Sequence, residues 1–178
     1  MPPEEVAFFT KTLEHCRGYV EFGSGGSTVY ASRLGVPTIS VENDAFYARS
    51  VKSQLTGHSV IQVVTSLGPS MAWGMPAFPR VKLARRYVMA PWTSENFPDF
   101  VLVDGRYRVA CALTTAHEAF RRGVRVTLMF DDYVERPSYH PVEELLGQPQ
   151  LIGRAAVFAV GEQHVPIEEI ERWLRDPG

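Results

Sequence analysis

Several features are scarce in this chain, and each scarcity excludes something. There are two cysteines, Cys16 and Cys111, with no CxxC pair and no Cys/His cluster. That excludes a disulfide scaffold and a cysteine-ligated zinc site, and it predicts two buried thiols in a reducing compartment. No apolar run approaches the ~20 residues that a membrane-spanning helix needs, so no membrane partner is expected. The opening MPPEEVAFFT carries acids where a secretory leader carries bases, so a cytoplasmic protein is expected. Positive charge is not in excess: the formal net charge is −2, which argues against a general nucleic-acid binder. Internal repeats, low-complexity tracts and linkers are all missing. The 178 residues are therefore expected to form one domain, 1–178.

What is present is a globular balance, 45% hydrophobic and 21% charged. The N-terminal PEEVAFFTKTLEHC spaces Val6, Phe9, Leu13 and Cys16 as a helix. From Tyr19 to Phe130 short apolar runs alternate with helical patterns. YVEF, VPTISVE, HSVIQVVTS, PDFVLVDG and VRVTLMFDD read as strands; Gly35, Gly57 and Gly123 read as helix stops, and Asn43 or Asp44 as a helix cap. The strands are continuous apolar runs rather than in/out alternations. That predicts a doubly wound, mostly parallel sheet covered by helices on both faces. A final hairpin or strand, LIGRAAVFAV, and an amphipathic helix, PIEEIERWLRD, close the chain.

Where the first strand ends, the chain reads GYVEFGSGGSTVY. In a doubly wound sheet, ligands sit beyond the carboxyl ends of the strands near the reversal of strand order. Gly23 and Gly25 are expected to tighten that turn and expose bare main chain, and the helix start beyond it presents N–H groups to an anion. Glu42 closes the second strand 19 residues after Gly23, the placement of a carboxylate that accepts from ribose hydroxyls. An adenosine-bearing ligand is implied. In the fingerprint G-x-G-x-x-G the third glycine is Thr28 here, which counts against NAD. Glu21, two residues before Gly23, suits a ligand carrying an ammonium group.

These segments resemble the class I S-adenosylmethionine-dependent methyltransferases. VEFGSGGS is similar to their E/D-x-G-x-G motif, SVEND to their ribose-binding strand end, PDFVLVDGRYR and VTLMFDDYVERPSYH to their fourth and fifth strands with the loops that follow. The resemblance covers roughly residues 19–135. It implies a Rossmann-like fold with a shortened C-terminal strand region. It implies S-adenosyl-L-methionine as cofactor, with Gly23, Ser24 and Gly25 at its methionine part, Glu21 near the ammonium, Glu42 at the ribose and Ser66 to Gly68 along the adenine. Trp73, in the Gly/Pro/Met-rich LGPSMAWGMPAFP, is expected to close over the site.

Asp104 ends the fourth strand, and Asp131 and Asp132 end the fifth. Adjacent parallel strands bring all three carboxylates to one rim, a set of hard oxygen ligands that suits Mg²⁺. The pattern resembles the metal site of the catechol O-methyltransferase group, but Tyr107 stands where that group carries a lysine base. His140 is the titratable alternative. Arg106 and Arg108 are expected either to grip a carboxylate or phosphate on the substrate or to pair with Asp104 and Asp131. The reading is a methyltransferase acting on an oxygen nucleophile of a small molecule, with Asp104, Asp131 and His140 as catalytic candidates. A small lid leaves room for a homodimer. An NAD-binding oxidoreductase and a non-catalytic binding module stay open as alternatives.

Overall fold

The computed structural model describes residues 1–93 and 97–178. Among the described residues seven strands form one sheet: β1 (Tyr19–Phe22), β2 (Thr38–Glu42), β3 (Val60–Val64), β4 (Phe100–Val103), β5 (Val126–Phe130), β6 (Gln150–Ile152) and β7 (Ala155–Val160). Their order is β3-β2-β1-β4-β5-β7-β6. β1 through β5 are parallel, and β7 runs antiparallel to both β5 and β6. The α-helices among the described residues are α1 (Pro3–His15), α2 (Gly26–Leu34), α3 (Ala45–Lys52), α4 (Val81–Met89), α5 (Arg108–Arg122), α6 (Glu143–Leu146) and α7 (Ile167–Trp173). This is the doubly wound Rossmann-like fold expected. The shortened C-terminal strand region is visible as a three-residue β6 joined to β7 through Gly153 and Arg154.

Strand period sorts the side chains into two cores. Val20, Phe22, Val101, Val103, Leu128 and Phe130 point to one face and pack with Tyr87 and Val88 of α4 and Leu113 of α5. Tyr19, Phe100, Leu102 and Met129 point to the other face and meet Phe9 and Leu13 of α1 and Ala31 of α2. Both faces of the central strands are therefore covered, which is why their sequences carry no polar alternation. Each fully buried Phe or Leu contributes roughly 1.5–3 kcal/mol of transfer free energy.

Local chemistry sets most element ends. Pro37 offers no N–H, and β2 begins one residue later. Asp44 caps α3, its Oδ1 accepting from Phe46 N at 2.8 Å and Tyr47 N at 3.0 Å. Gly35 and Gly123 end α2 and α5 in the left-handed region. Gly57 does not end α3, which stops at Lys52. There the Ser53 hydroxyl donates to Ser50 O at 2.7 Å and competes with the helix ladder. Of the two thiols expected to be buried, Cys111 is buried, but Cys16, just after α1, is only partly so. No helix among the described residues is long and apolar enough to cross a membrane.

The register positions the site. Phe22 pairs with Val41 on one side and Val103 on the other, and Val103 pairs with Phe130. The next residue on each strand is Gly23, Glu42, Asp104 or Asp131, so these four stand in a row along one rim. The row crosses the point between β1 and β4 where strand order reverses.

Candidate functional site

A cleft of about 780 Å³ opens over that row, within the usual range for small-ligand sites. Gly23, Ser24 and Glu42 line one end, Asp104, Arg106 and Asp131 the other. A second, smaller space continues past Ser24 to Gly25, Gly26 and α1, where Phe9 and Val6 form an apolar wall.

The glycine turn is held by its own main chain. Gly23 has φ +97°, and a Cβ there would stand 3.0–3.1 Å from the backbone of Asp104 and Gly105. Only glycine fits this approach of the β1 and β4 turns. Gly25 is different: its φ of 175° is extended backbone, and an added Cβ would make only ordinary contact with Tyr47. The absence of a side chain there leaves open space instead of permitting a conformation, which corrects the expectation that both glycines tighten the turn. Ser24 N donates to Glu42 Oε2 at 3.0 Å, while Glu42 Oε1 accepts from Asn43 N and Asp44 N at 2.7 and 2.8 Å. Glu42 thus ties the ends of β1 and β2 together and still faces the cleft.

Glu21 lies elsewhere than the sequence implies. It shares a strand face with Tyr19, two residues earlier, and so points beneath α2. It is fully buried, accepting from the hydroxyls of Tyr19 at 2.9 Å, Ser27 at 2.6 Å and Thr28. Burial pushes its carboxyl above the usual range, and these hydroxyls pull it back. It braces the glycine turn from below and does not line the cleft.

At the other end, ligand oxygens of Asp104, Asp131 and Asp132 lie within 4.8 Å of one another. Three arginines lie among them. Buried Arg108 donates to Asp104 Oδ1 at 2.8 Å, to Asp131 O at 2.6 Å and to Gly105 O at 3.2 Å, and it stands 3.5 Å from Asp132 Oδ2. Arg154, from the β6–β7 turn, donates to Asp132 Oδ1 at 2.7 Å, and Arg136 lies 3.8 Å from Asp132 Oδ2. Arg108 therefore follows the ion-pair alternative, with Asp132 rather than the Asp131 carboxylate as its second partner. Asp131 is buried, and its Oδ1 has no hydrogen-bond partner among the described residues. Burial pushes the Asp104 carboxyl up to about 7. Arg108 opposes that rise, and the neighbouring Asp131 and Asp132 add to it. The Asp104 side chain keeps 40% of its surface open to the cleft, so water moderates this shift.

Three other expected residues take different places. Ser66 is exposed, its Oγ accepting from Gly68 N at 3.2 Å, and it does not line the cleft; Met71, Trp73 and Gly74 form that wall. His140 stacks on Tyr133 with centroids 4.9 Å apart and sits 3.3 Å from Tyr133 O, away from the cleft lining. Tyr107, the residue standing in for lysine, is buried in the larger core, and burial raises its hydroxyl pKa. It is no base. Trp73 does line the cleft, yet 92% of its surface is exposed and its φ is +61°. Its neighbour Gly74 is anchored, the Gly74 carbonyl accepting from Asn43 Nδ2 at 2.9 Å. Asp132, at φ +56°, and Tyr107, at φ +54°, are the other non-glycine residues in the left-handed region among those described. Trp73 and Asp132 line the cleft, where strained backbone tends to be functional, while Tyr107 takes this conformation inside the core at the start of α5.

Arg154, Arg136 and Gly105 are cleft residues that the sequence did not single out, and Asn43, read there as a cap candidate, lines the cleft too. Of the first three, only Gly105 had a local signal, a glycine directly after a strand end.

No protein-family model and no curated protein sequence matches the chain. Among solved structures, a methyltransferase-like protein from Silicibacter pomeroyi is 41% identical, covers 99% of this chain and 96% of its own, and superposes with a TM-score of 0.88. A hypothetical protein from Thermus thermophilus shares the fold at 16% identity and a TM-score of 0.50, over 88% of this chain and 83% of its own. By its geometry and by the first of these likenesses, the chain belongs to the class I methyltransferase-like family.

Proposed function

We propose that this protein is an S-adenosylmethionine-dependent methyltransferase that acts on a hydroxyl oxygen of a small molecule. The carrying observation is the single cleft running from Glu42 over the bare main chain of Gly23 to a carboxyl group, Asp104, poised near pH 7. The residues fit the cofactor: Glu42 faces the space where a ribose would lie, and no side chain of the turn fills the path beside Gly25 and Gly26. When bound, S-adenosylmethionine supplies a methyl group on a sulfonium centre.

The chain's own residues do the remaining work. Glu42 accepts three backbone N–H groups over its two oxygens and keeps one acceptor site, on Oε2, for a ribose hydroxyl. Trp73 stands ready to cover the ligand and exclude water. Asp104 takes the acceptor hydroxyl's proton, a role for which a carboxylate near pH 7 is matched and an unshifted one is too weak. Arg108, fixed by four oxygens, holds Asp104 in place and stabilises its charged form.

A metal-assisted version of the same reaction is favoured by one observation, the unpartnered Oδ1 of buried Asp131 beside Asp104. Asp104 and Asp131 would hold Mg²⁺, which supplies a Lewis acid that lowers a hydroxyl's pKa. Asp132 is committed to Arg154, Arg108 and Arg136 and is the weaker ligand of the three. A cytoplasmic, homodimeric enzyme belongs to the same proposal, the setting supported by two free cysteines.

The test is calorimetry with S-adenosylhomocysteine against NADH, followed by radiolabelled methyl transfer to a panel of hydroxylated metabolites with and without Mg²⁺. Micromolar binding of S-adenosylhomocysteine and transfer to a hydroxyl are expected. Binding of NADH alone would sink the reading, and activity indifferent to chelators would remove the metal.

A further inference from the structure

Charge is distributed unevenly along the cleft. The ribose end carries Glu42 and Asp44, and the other end carries four arginines, at 106, 108, 136 and 154, against three aspartates. Three of those arginines are engaged with protein oxygens. Arg108 bonds Asp104 and main-chain carbonyls, Arg154 bonds Asp132, and Arg136 reaches Asp132 and the Tyr139 hydroxyl. Arg154 also stands 3.9 Å from the buried Glu5 carboxylate, so these three cations are already taken up by protein carboxylates. Arg106 is left over. It lines the cleft directly after Gly105 and is half-buried, yet its guanidinium makes no ion pair or hydrogen bond among the described residues. Burial and the adjacent Arg108 both push its pKa down, as befits a cation without a partner.

We propose that the acceptor molecule carries an anionic group, a carboxylate or a phosphate, and that Arg106 pairs with it. This rests on the reading of the cleft as a methyl-transfer site and names the substrate class that the site accepts. A guanidinium offers planar paired donors that match either anion in a bidentate fork. A half-buried cation facing an open cleft is favourable only when a ligand supplies its counter-charge. The remaining three arginines are engaged by the protein's own carboxylates and carbonyls, so Arg106 is the cation that an incoming anion meets. A neutral hydroxylated molecule of the same size leaves Arg106 unpaired and binds more weakly, so Arg106 sets specificity without taking part in the proton transfer.

The probes are benzoate, phenyl phosphate and neutral benzamide, titrated calorimetrically into wild type, Arg106→Gln and Arg106→Lys, each with and without saturating S-adenosylhomocysteine. In wild type at least one anion is expected to bind about 10–100-fold tighter than benzamide, the range of a charge-assisted hydrogen bond. Whichever anion is preferred assigns carboxylate or phosphate. Arg106→Gln should bring that anion to the benzamide level, and Arg106→Lys should keep part of the preference. The Arg106 Nε resonance of the wild-type protein should also move on adding the preferred anion, a readout that does not depend on how a variant folds. Equal binding of all three probes by wild type, an anion preference that survives Arg106→Gln, or an unmoved resonance each overturns the inference. Titrations without S-adenosylhomocysteine keep the two ideas apart. A protein that prefers anions through Arg106 but ignores S-adenosylhomocysteine loses the cofactor reading and keeps this one; the reverse pattern does the opposite.

Discussion

The two ends of the cleft are built on opposite principles. At the Gly23–Glu42 end the main chain does the work: a left-handed glycine packs against the neighbouring turn, and one carboxylate accepts three backbone N–H groups. Polar groups there are satisfied before any ligand arrives. At the Asp104–Asp131 end side chains do the work, and they are not all satisfied: a carboxyl sits near pH 7, a buried oxygen is bare and a cation has no partner among the described residues. The first end is preorganised and stabilises the fold. The second holds unbalanced charge in place at a cost to the fold, the pattern expected where chemistry occurs.

If that contrast is right, damage at the first end should hit stability and cofactor binding together. Gly23→Ala should have the largest effect, roughly 2–4 kcal/mol of stability, from a left-handed alanine pressed against the Asp104 backbone. Urea unfolding of the variant measures it, and a wild-type midpoint would refute the tight contact. Glu42→Ala follows, orphaning backbone donors at about 1.5–3 kcal/mol and weakening S-adenosylhomocysteine about 10–100-fold. Calorimetry and unfolding on the same sample check whether the two losses come together.

The second end should behave the other way. Asp104 has a folded-state pKa of about 7, above its ordinary 3.8. Between those values the folded protein holds a proton that the unfolded chain releases, so this group weakens the fold as pH rises from about 4 to about 7. Asp104→Asn should flatten that decline in melting temperature while abolishing methyl transfer. A variant with the wild-type pH slope would show that the carboxyl is not shifted. Smallest is Trp73→Ala. With 92% of the residue exposed, stability should not change, while S-adenosylhomocysteine affinity should fall about 2–10-fold as the ring's contact is lost. A changed melting temperature with unchanged affinity would make Trp73 a packing residue after all.

Much of the first end was legible in the sequence. A strand that stops at Gly23 and another that stops at Glu42 are local events, and parallel pairing then places both on one rim. The same logic brought Asp104, Asp131 and Asp132 together. Errors arose wherever the direction of a side chain mattered. Glu21 was assigned to the ligand, but strand period turns it under α2. Ser66 lies in a loop and His140 in a short 3-10 helix, Pro137–Val142, whose paths depend on distant packing, and neither reaches the cleft. Gly25 looked like Gly23 and has an extended backbone. Arg154 could not be found at all, because the β6–β7 turn meets Asp132 only once the antiparallel pair has docked on β5.

The order of residues along the chain, by itself, determined the doubly wound sheet, its glycine turn and the acidic strand ends. These follow from hydrophobic period and backbone freedom, which act between near neighbours. Only the tertiary structure decided which charges balance. Ion pairing couples groups far apart in the chain, and a carboxylate's pKa or an arginine's lack of a partner exists only when every other charge around it has been positioned.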